Sequence, residues 1–277
     1  MKICMVGLGY IGLPTACLLA KNNDDIVYGF DTNVQLIEKI RNNTYETSEF
    51  LLNEILHEVV SREKLIVSNE IPKAEVYIIA VPTPFNDDKT CDTKYIEIAT
   101  RDIAKVIEKD GLVILESTVS PGTTEKIVES ILSEETDYEI GVDLHIAYSA
   151  ERVIPGKIIY ELEHNDRIVG GTTPLSSNKA KEVYEIFVNG DIHLTDCVTA
   201  EVTKLMENTY RDINIAIANE FAVLAEKMDF NVWEAITLAN KHPRVDILNP
   251  GPGVGGHCIA VDPWFFVGID EENTKLI

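Results

Sequence analysis

The chain has 277 residues, enough for two domains, and its 45% hydrophobic and 25% charged content is that of a globular protein, not a disordered one. No apolar run approaches the length of a membrane span. A formal net charge of −22 argues against nucleic acid and anionic membrane surfaces as partners, while a locally basic pocket can still take an anionic small substrate.

The chain enters a strand at once. KICMV (2–6) reads as a short buried strand, and no basic n-region or small-residue cleavage site accompanies it, so a cytoplasmic protein is expected. IGLPTACLLAK (11–21) reads as a helix and IVYGFD (26–31) as a second strand ending in an acid. Further strands are expected at 65–68, 76–82, 112–117 and 144–149, with helices at 95–109 and 122–133. This alternation implies a Rossmann-like, doubly wound parallel sheet covered on both faces, over residues 1–196. From Cys197 to Met228 there is no Gly and no Pro, and apolar residues recur at helical spacing, so one long helix is expected there and another over 230–241. Residues 197–277 thus form a mostly helical second domain. Its long helix reads either as a dimer spine or as a packed core helix.

Five cysteines, Cys4, Cys17, Cys91, Cys197 and Cys258, are odd in number and scattered. They form no C-x-x-C pair and no zinc-spaced cluster, so neither a disulfide framework nor a metal site is expected. Four of them read as small apolar fillers.

GLGYIG places Gly7, Gly9 and Gly12 between the first strand and the first helix. The first glycine permits a tight turn, the second lets backbone approach a pyrophosphate, and the third lets helix pack on strand. The helix N-terminus then offers N–H groups and a positive dipole end to phosphates. Asp31 ends the second strand 19 residues after Gly12, where a carboxylate bonds a ribose 2′-hydroxyl and repels a 2′-phosphate. NAD is therefore favoured over NADP, the alternative being a glycine turn with no ligand. VPTP (81–84) and STVSPGTT (117–124) place hydroxyls at two other strand ends, as a ligand rim or as turn punctuation.

EVTKLMENTYRD sets Lys204 and Asn208 at i and i+4 on one helix face. The pair is either a solvated stripe or, beside a nicotinamide, a donor set for a developing oxyanion. GPGVGGHCIAVDPWFF places Cys258 behind a glycine run, with Asp262-Pro263 suited to an N-cap and first helical residue. Cys258 is a filler or a nucleophile. Beside NAD, a thiol adds to an aldehyde to give a thiohemiacetal that still carries a transferable hydride, and the resulting thioester is hydrolysed by water.

GLGYIGLPTA, AVPTPF, VILESTVSPGTTEK, AERVIPG, TKLMENTYRDINIAIANE and NKHPRVDILNPGPGVGGHCIAVDPWF occur in this order along the chain. Together they resemble the UDP-glucose/GDP-mannose dehydrogenase family, NAD-dependent enzymes that oxidise C6 of a nucleotide sugar twice to a uronic acid. The resemblance implies that Cys258 is the nucleophile and that Lys204, Asn208 and Asp262 stabilise the oxyanion and organise the water. It implies that Thr118 and Glu151 assist the first oxidation and thioester hydrolysis. The implied cofactor site is Gly7, Gly9, Tyr10, Ile11, Gly12, Asp31, Pro82, Thr83, Ser117 and Thr118. The implied substrate contacts are Glu151, Arg152, Lys204, Asn208, His242, Arg244 and Gly255, with Arg244 often reaching across a homodimer built on the long helix. Through the resemblance alone, HCIAVDPWF implies a UDP-N-acetylhexosamine of the manno form.

Two departures stand out. YSAER has Ser149 and Ala150 where relatives carry Cys-Pro, for which a local effect is expected. The family also continues into a third, UDP-binding domain, so the resemblance implies a shortened form that retains NAD binding and dimerisation. A single-step β-hydroxyacid-dehydrogenase-like enzyme and an inactive NAD-binding dimeric fragment remain as alternatives.

Overall fold

The computed structural model describes all residues except Asp87, Asp88, Gly256, His257, Cys258, Lys275 and Ile277. It divides into two units, Met1–Pro84 with Asp92–Glu201, and Phe85–Cys91 with Val202–Ile277.

The first unit runs β1 (Ile3–Val6), α1 (Gly12–Asn22), β2 (Val27–Phe30), α2 (Val34–Arg41), α3 (Phe50–Ser61), β3 (Leu65–Ser68) and β4 (Val76–Ile79). It continues with α4 (Lys94–Ala104), β5 (Leu112–Leu115), a π-helical turn (Thr124–Glu129) leading into α5 (Ser130–Glu135), and β6 (His145–Tyr148). Then come α6 (Ile158–His164), β7 (Arg167–Gly171), α7 (Pro174–Tyr184) and β8 (Ile192–Asp196). The sheet order is β3-β2-β1-β4-β5-β6-β7-β8. The chain order turns back between β1 and β4, the position at which such sheets bind ligands beyond their carboxyl ends.

The central strands β1, β4, β5 and β6 are buried on both faces, which is why they read as continuous apolar runs. The edge strand β3 alternates buried and open positions. α1 is buried from Gly12 to Ala20, so its sequence is apolar all round. The parallel sheet expected from the sequence is found from β3 to β6. β7 departs from it, running antiparallel to β6, and β8 follows β7 in parallel. The helix expected over 122–133 opens instead as a π turn and becomes α-helical only from Ser130.

α8 (Cys197–Met228) has the bounds expected from the absence of Gly and Pro. In the second unit it is followed by α9 (Val232–Ala239) and α10 (Asp262–Val267). Ala218 and Ala225 of α8 pack with Val232 and Ile236 of α9. A second small core joins Leu205, Val261 and Phe265, with Cys91 against it. Phe85–Cys91 therefore belongs to the helical unit although it lies inside the first unit's sequence. Among the described residues no helix is long and apolar enough to cross a membrane.

Candidate functional site

The turn after β1 is built by two opposite uses of glycine. Gly7 has φ +99, and a Cβ there would sit 2.7 Å from the Ala80 carbonyl oxygen. A Cβ on Gly12 would lie 1.9 Å from the Gly7 carbonyl oxygen, so strand, turn and helix close on one another only without side chains. Gly9 is the reverse case, with nothing within 4 Å of its Cβ position. Its backbone therefore faces open space at the start of α1, whose first residue follows Ile11 with no side-chain cap. Tyr10 projects into solvent.

Asp31 sits just beyond β2, its two carboxylate oxygens accepting the N–H groups of Leu8 (2.9 Å) and Asn33 (2.8 Å). The acid is thus tied to the glycine turn itself. Thr83 Oγ1 donates to the Thr118 carbonyl (2.8 Å) and Ser117 Oγ to the Val81 carbonyl (2.7 Å), which joins the loops after β4 and β5. Gly7, Gly9, Gly12, Asp31, Pro82, Thr83, Ser117 and Thr118 therefore share one sheet edge. An open backbone at Gly9, an uncapped helix start and a fixed carboxylate fit a dinucleotide, and NAD is the cofactor of the domain this edge belongs to.

After β6, Glu151 accepts the Val153 N–H at 2.7 Å, and the Arg152 guanidinium donates to the Asp166 carbonyl. Ser149, the first departure from the family pattern, accepts from Arg167 Nε at 2.9 Å. The local effect is thus a hydroxyl acceptor for a buried guanidinium.

In the second unit, Lys204 and Asn208 are both buried, which sets aside the solvated-stripe reading. Asn208 Nδ2 donates to Asp262 Oδ2 at 2.6 Å. Asp262 is the first residue of α10, and Val261 takes the cap position, contrary to the N-cap expectation for the aspartate. An ionised carboxylate only accepts, so Asp262 fixes the Asn208 amide with its NH₂ toward the acid. Cys258 lies outside the described residues, as does His257. Gly255 is described, and it has open space around its Cβ position, as do Gly251 and Gly253. His242 and Arg244 are exposed in the turn after α9, where the Arg244 N–H donates to His242 Nδ1.

Sequence reasoning missed the residues that hold the glycine-rich segment. Asn214 of α8 donates to the Asp246 carbonyl (2.8 Å) and accepts the Leu248 N–H (3.0 Å). Asn219 accepts the Gly251 N–H at 2.8 Å, and Asn240 pairs twice with the Ile247 backbone. The only sequence signal was a run of asparagines in DINIAIANE and LANK. Among the described residues no group of three or more His, Cys, Asp or Glu is placed to hold a metal ion.

The model of the UDP-glucose/GDP-mannose dehydrogenase family, NAD binding domain, matches residues 1–188, and that of the family's central domain matches residues 198–276. A UDP-N-acetyl-D-mannosamine dehydrogenase of Methanocaldococcus jannaschii is 48% identical over 279 residues, covering 100% of this chain and 63% of that protein. An NDP-N-acetyl-D-galactosaminuronic acid dehydrogenase of Ralstonia nicotianae is 45% identical, covering 99% of this chain and 66% of its own length. The solved structure of a UDP-D-ManNAc dehydrogenase from Pyrococcus horikoshii matches with a TM-score of 0.95 at 46% identity, over 100% of this chain and 66% of that one. The chain spans 63% of the length of the first of these relatives.

Proposed function

The chain belongs to the UDP-glucose/GDP-mannose dehydrogenase family, and from that premise we propose that it serves the NAD-dependent oxidation of C6 of a UDP-N-acetylhexosamine, the manno epimer foremost, to the uronic acid. The observation that carries this reading is the buried Asn208–Asp262 pair, with Lys204 one turn earlier on the same helix. The names of the relatives, which act on N-acetylated sugars, support the substrate class.

NAD, when bound at the Gly9 edge, supplies the hydride acceptor for each oxidation. The chain's own groups do the rest. Lys204 donates to the developing C6 oxyanion, and Asn208, held by Asp262, presents its remaining N–H to that oxygen and its carbonyl to a water. The first oxidation removes the C6 hydride and passes the hydroxyl proton to a water, leaving the aldehyde. The Cys258 thiolate adds to the aldehyde carbon, and the carbonyl oxygen takes a proton back from water to give the thiohemiacetal. Loss of the C6 hydride and that hydroxyl proton leaves the thioester. Glu151 takes the proton of the attacking water, and the C–S bond breaks to return the thiolate and the carboxylate. Thr118 works at the cofactor rim. Arg152, His242, Arg244 and the backbone around Gly255 are assigned to the nucleotide sugar.

The proposal includes a homodimer through the second half of α8, where Ile217, Phe221, Val223, Leu224 and Met228 are exposed. A cytoplasmic setting accompanies this chemistry, for which surface-polysaccharide synthesis is the consumer. The test is NADH release from the 277-residue chain with UDP-N-acetylmannosamine, UDP-N-acetylglucosamine and UDP-glucose. Release with the manno sugar foremost supports the reading. No release at saturating sugar, with NAD binding intact, points to an NAD-binding fragment instead.

A further inference from the structure

Three strands of the first unit meet under the loops that carry Thr118 and Glu151. Glu116 follows β5 and precedes Ser117-Thr118. Ser149 follows β6 and stands two residues before Glu151. Arg167 opens β7. The Glu116 and Arg167 side chains are 0% and 5% exposed and form an ion pair. Arg167 donates Nη2 to Glu116 Oε1 and Nε to Ser149 Oγ, while its guanidinium lies 3.9 Å from the Tyr184 ring centroid. The Tyr184 hydroxyl donates to the same Glu116 oxygen at 3.4 Å. Glu151 is among the charges that act on both members of the pair.

A guanidinium is a planar fork whose donor directions are fixed relative to one another. Two of those directions are taken by side chains at the ends of β5 and β6, which adds a side-chain tie to the backbone bond from the Ser149 N–H to the Leu115 carbonyl (3.0 Å). A buried ion pair gives little net stability over an apolar pair of similar size. We propose that Arg167 is the positioning residue for Glu151, locking the strand end that carries it to the strand end that carries Thr118. This rests on the role given to Glu151 under the proposed function.

The test replaces the fork in two ways. Glu116→Leu/Arg167→Met substitutes an apolar pair of similar volume, and Arg167→Lys keeps the charge without the fork. Amide hydrogen exchange and steady-state kinetics are read on the 277-residue chain. In both variants exchange over 149–153 is expected to speed by about tenfold while the Gly7–Gly12 turn is unchanged. Acid formation is expected to lose about 10- to 100-fold in kcat, with the KM for NAD within about twofold. Unchanged exchange at 149–153, or unchanged kcat, overturns the proposal. So does faster exchange spread over the whole sheet, which marks a merely structural pair, and so does full retention of function by Arg167→Lys. If the unsubstituted chain releases no NADH, the dehydrogenase reading has failed separately, and the exchange pattern alone decides whether Arg167 orders Glu151.

Discussion

Asn208 on α8 and Asp262 at the start of α10 are joined by a 2.6 Å hydrogen bond between two buried side chains, across 54 residues of sequence. The bond fixes the Asn208 amide by the chemistry of its partner. Asp262→Asn keeps the shape but lets either amide turn over. It is expected to lower kcat by about 10²–10³-fold while leaving NAD binding unchanged. Asn208→Ala takes one donor from a buried carboxylate and is expected to cost about 1–3 kcal/mol of stability by denaturant titration.

Cys258→Ser tests the double oxidation. A serine hydroxyl in this place lacks the ready thiolate, so uronic acid formation is expected to stop. Mass spectrometry of the sugar product, together with the NADH yield per sugar, checks it. Unchanged acid production by the variant would sink the thioester route and favour a single-step enzyme.

Gly9 and Gly12 separate ligand binding from folding. Gly12→Ala places a methyl group 1.9 Å from a backbone oxygen, so loss of folded protein is expected. Gly9→Ala meets no protein atom within 4 Å, so the melting temperature is expected to hold while NAD affinity falls at least about tenfold. Calorimetric titration with NAD reads the second effect. Full affinity in Gly9→Ala would place the pyrophosphate elsewhere.

The buried Glu116 carboxyl gives a pH signature. Burial pushes it up from 4.5 to about 7 against the opposing pull of Arg167. Between those values the folded chain holds a proton that the unfolded chain has released. The group's stabilising contribution is therefore complete below pH 4.5 and lost as pH rises through about 7. The melting temperature of the unsubstituted chain relative to Glu116→Gln is expected to fall between pH 5 and pH 8. A relative value that rises with pH refutes the assignment.

Leu224→Glu on the exposed side of α8 is expected to yield monomer by light scattering if that face is the homodimer contact. An unaltered mass ratio places the contact elsewhere.

The sequence was most legible where burial was complete. β1, β4, β5 and β6 read as strands because both faces are covered, and α8 read to its last residue because nothing in it breaks a helix. β8 went unread because its edge residues are mostly open to solvent, and β7 because two of its five residues are glycine. α7 is polar apart from its buried side, and its start rests on the Thr173 hydroxyl accepting the Ser176 N–H. At the site, Lys204 and Asn208 were visible as a helical pair. Their partner in space, Asp262, read as a cap by local pattern, because Asp-Pro at a helix start suggests one, and joined them only through the family resemblance. The Arg167 fork was invisible because its partners come from two other strands, and no spacing along the chain links them.

The short Phe85–Cys91 excursion alters how this protein can be taken apart. Cys91 of the excursion packs against Leu205, Val261 and Phe265, so a gene cut after Glu201 removes those neighbours from it. Yet its two ends are held together, since the Asp92 N–H donates to the Pro84 carbonyl at 2.8 Å. A tight turn grafted between Pro84 and Asp92 would therefore give an excisable cofactor module, whereas a simple truncation leaves Cys91 without its apolar neighbours.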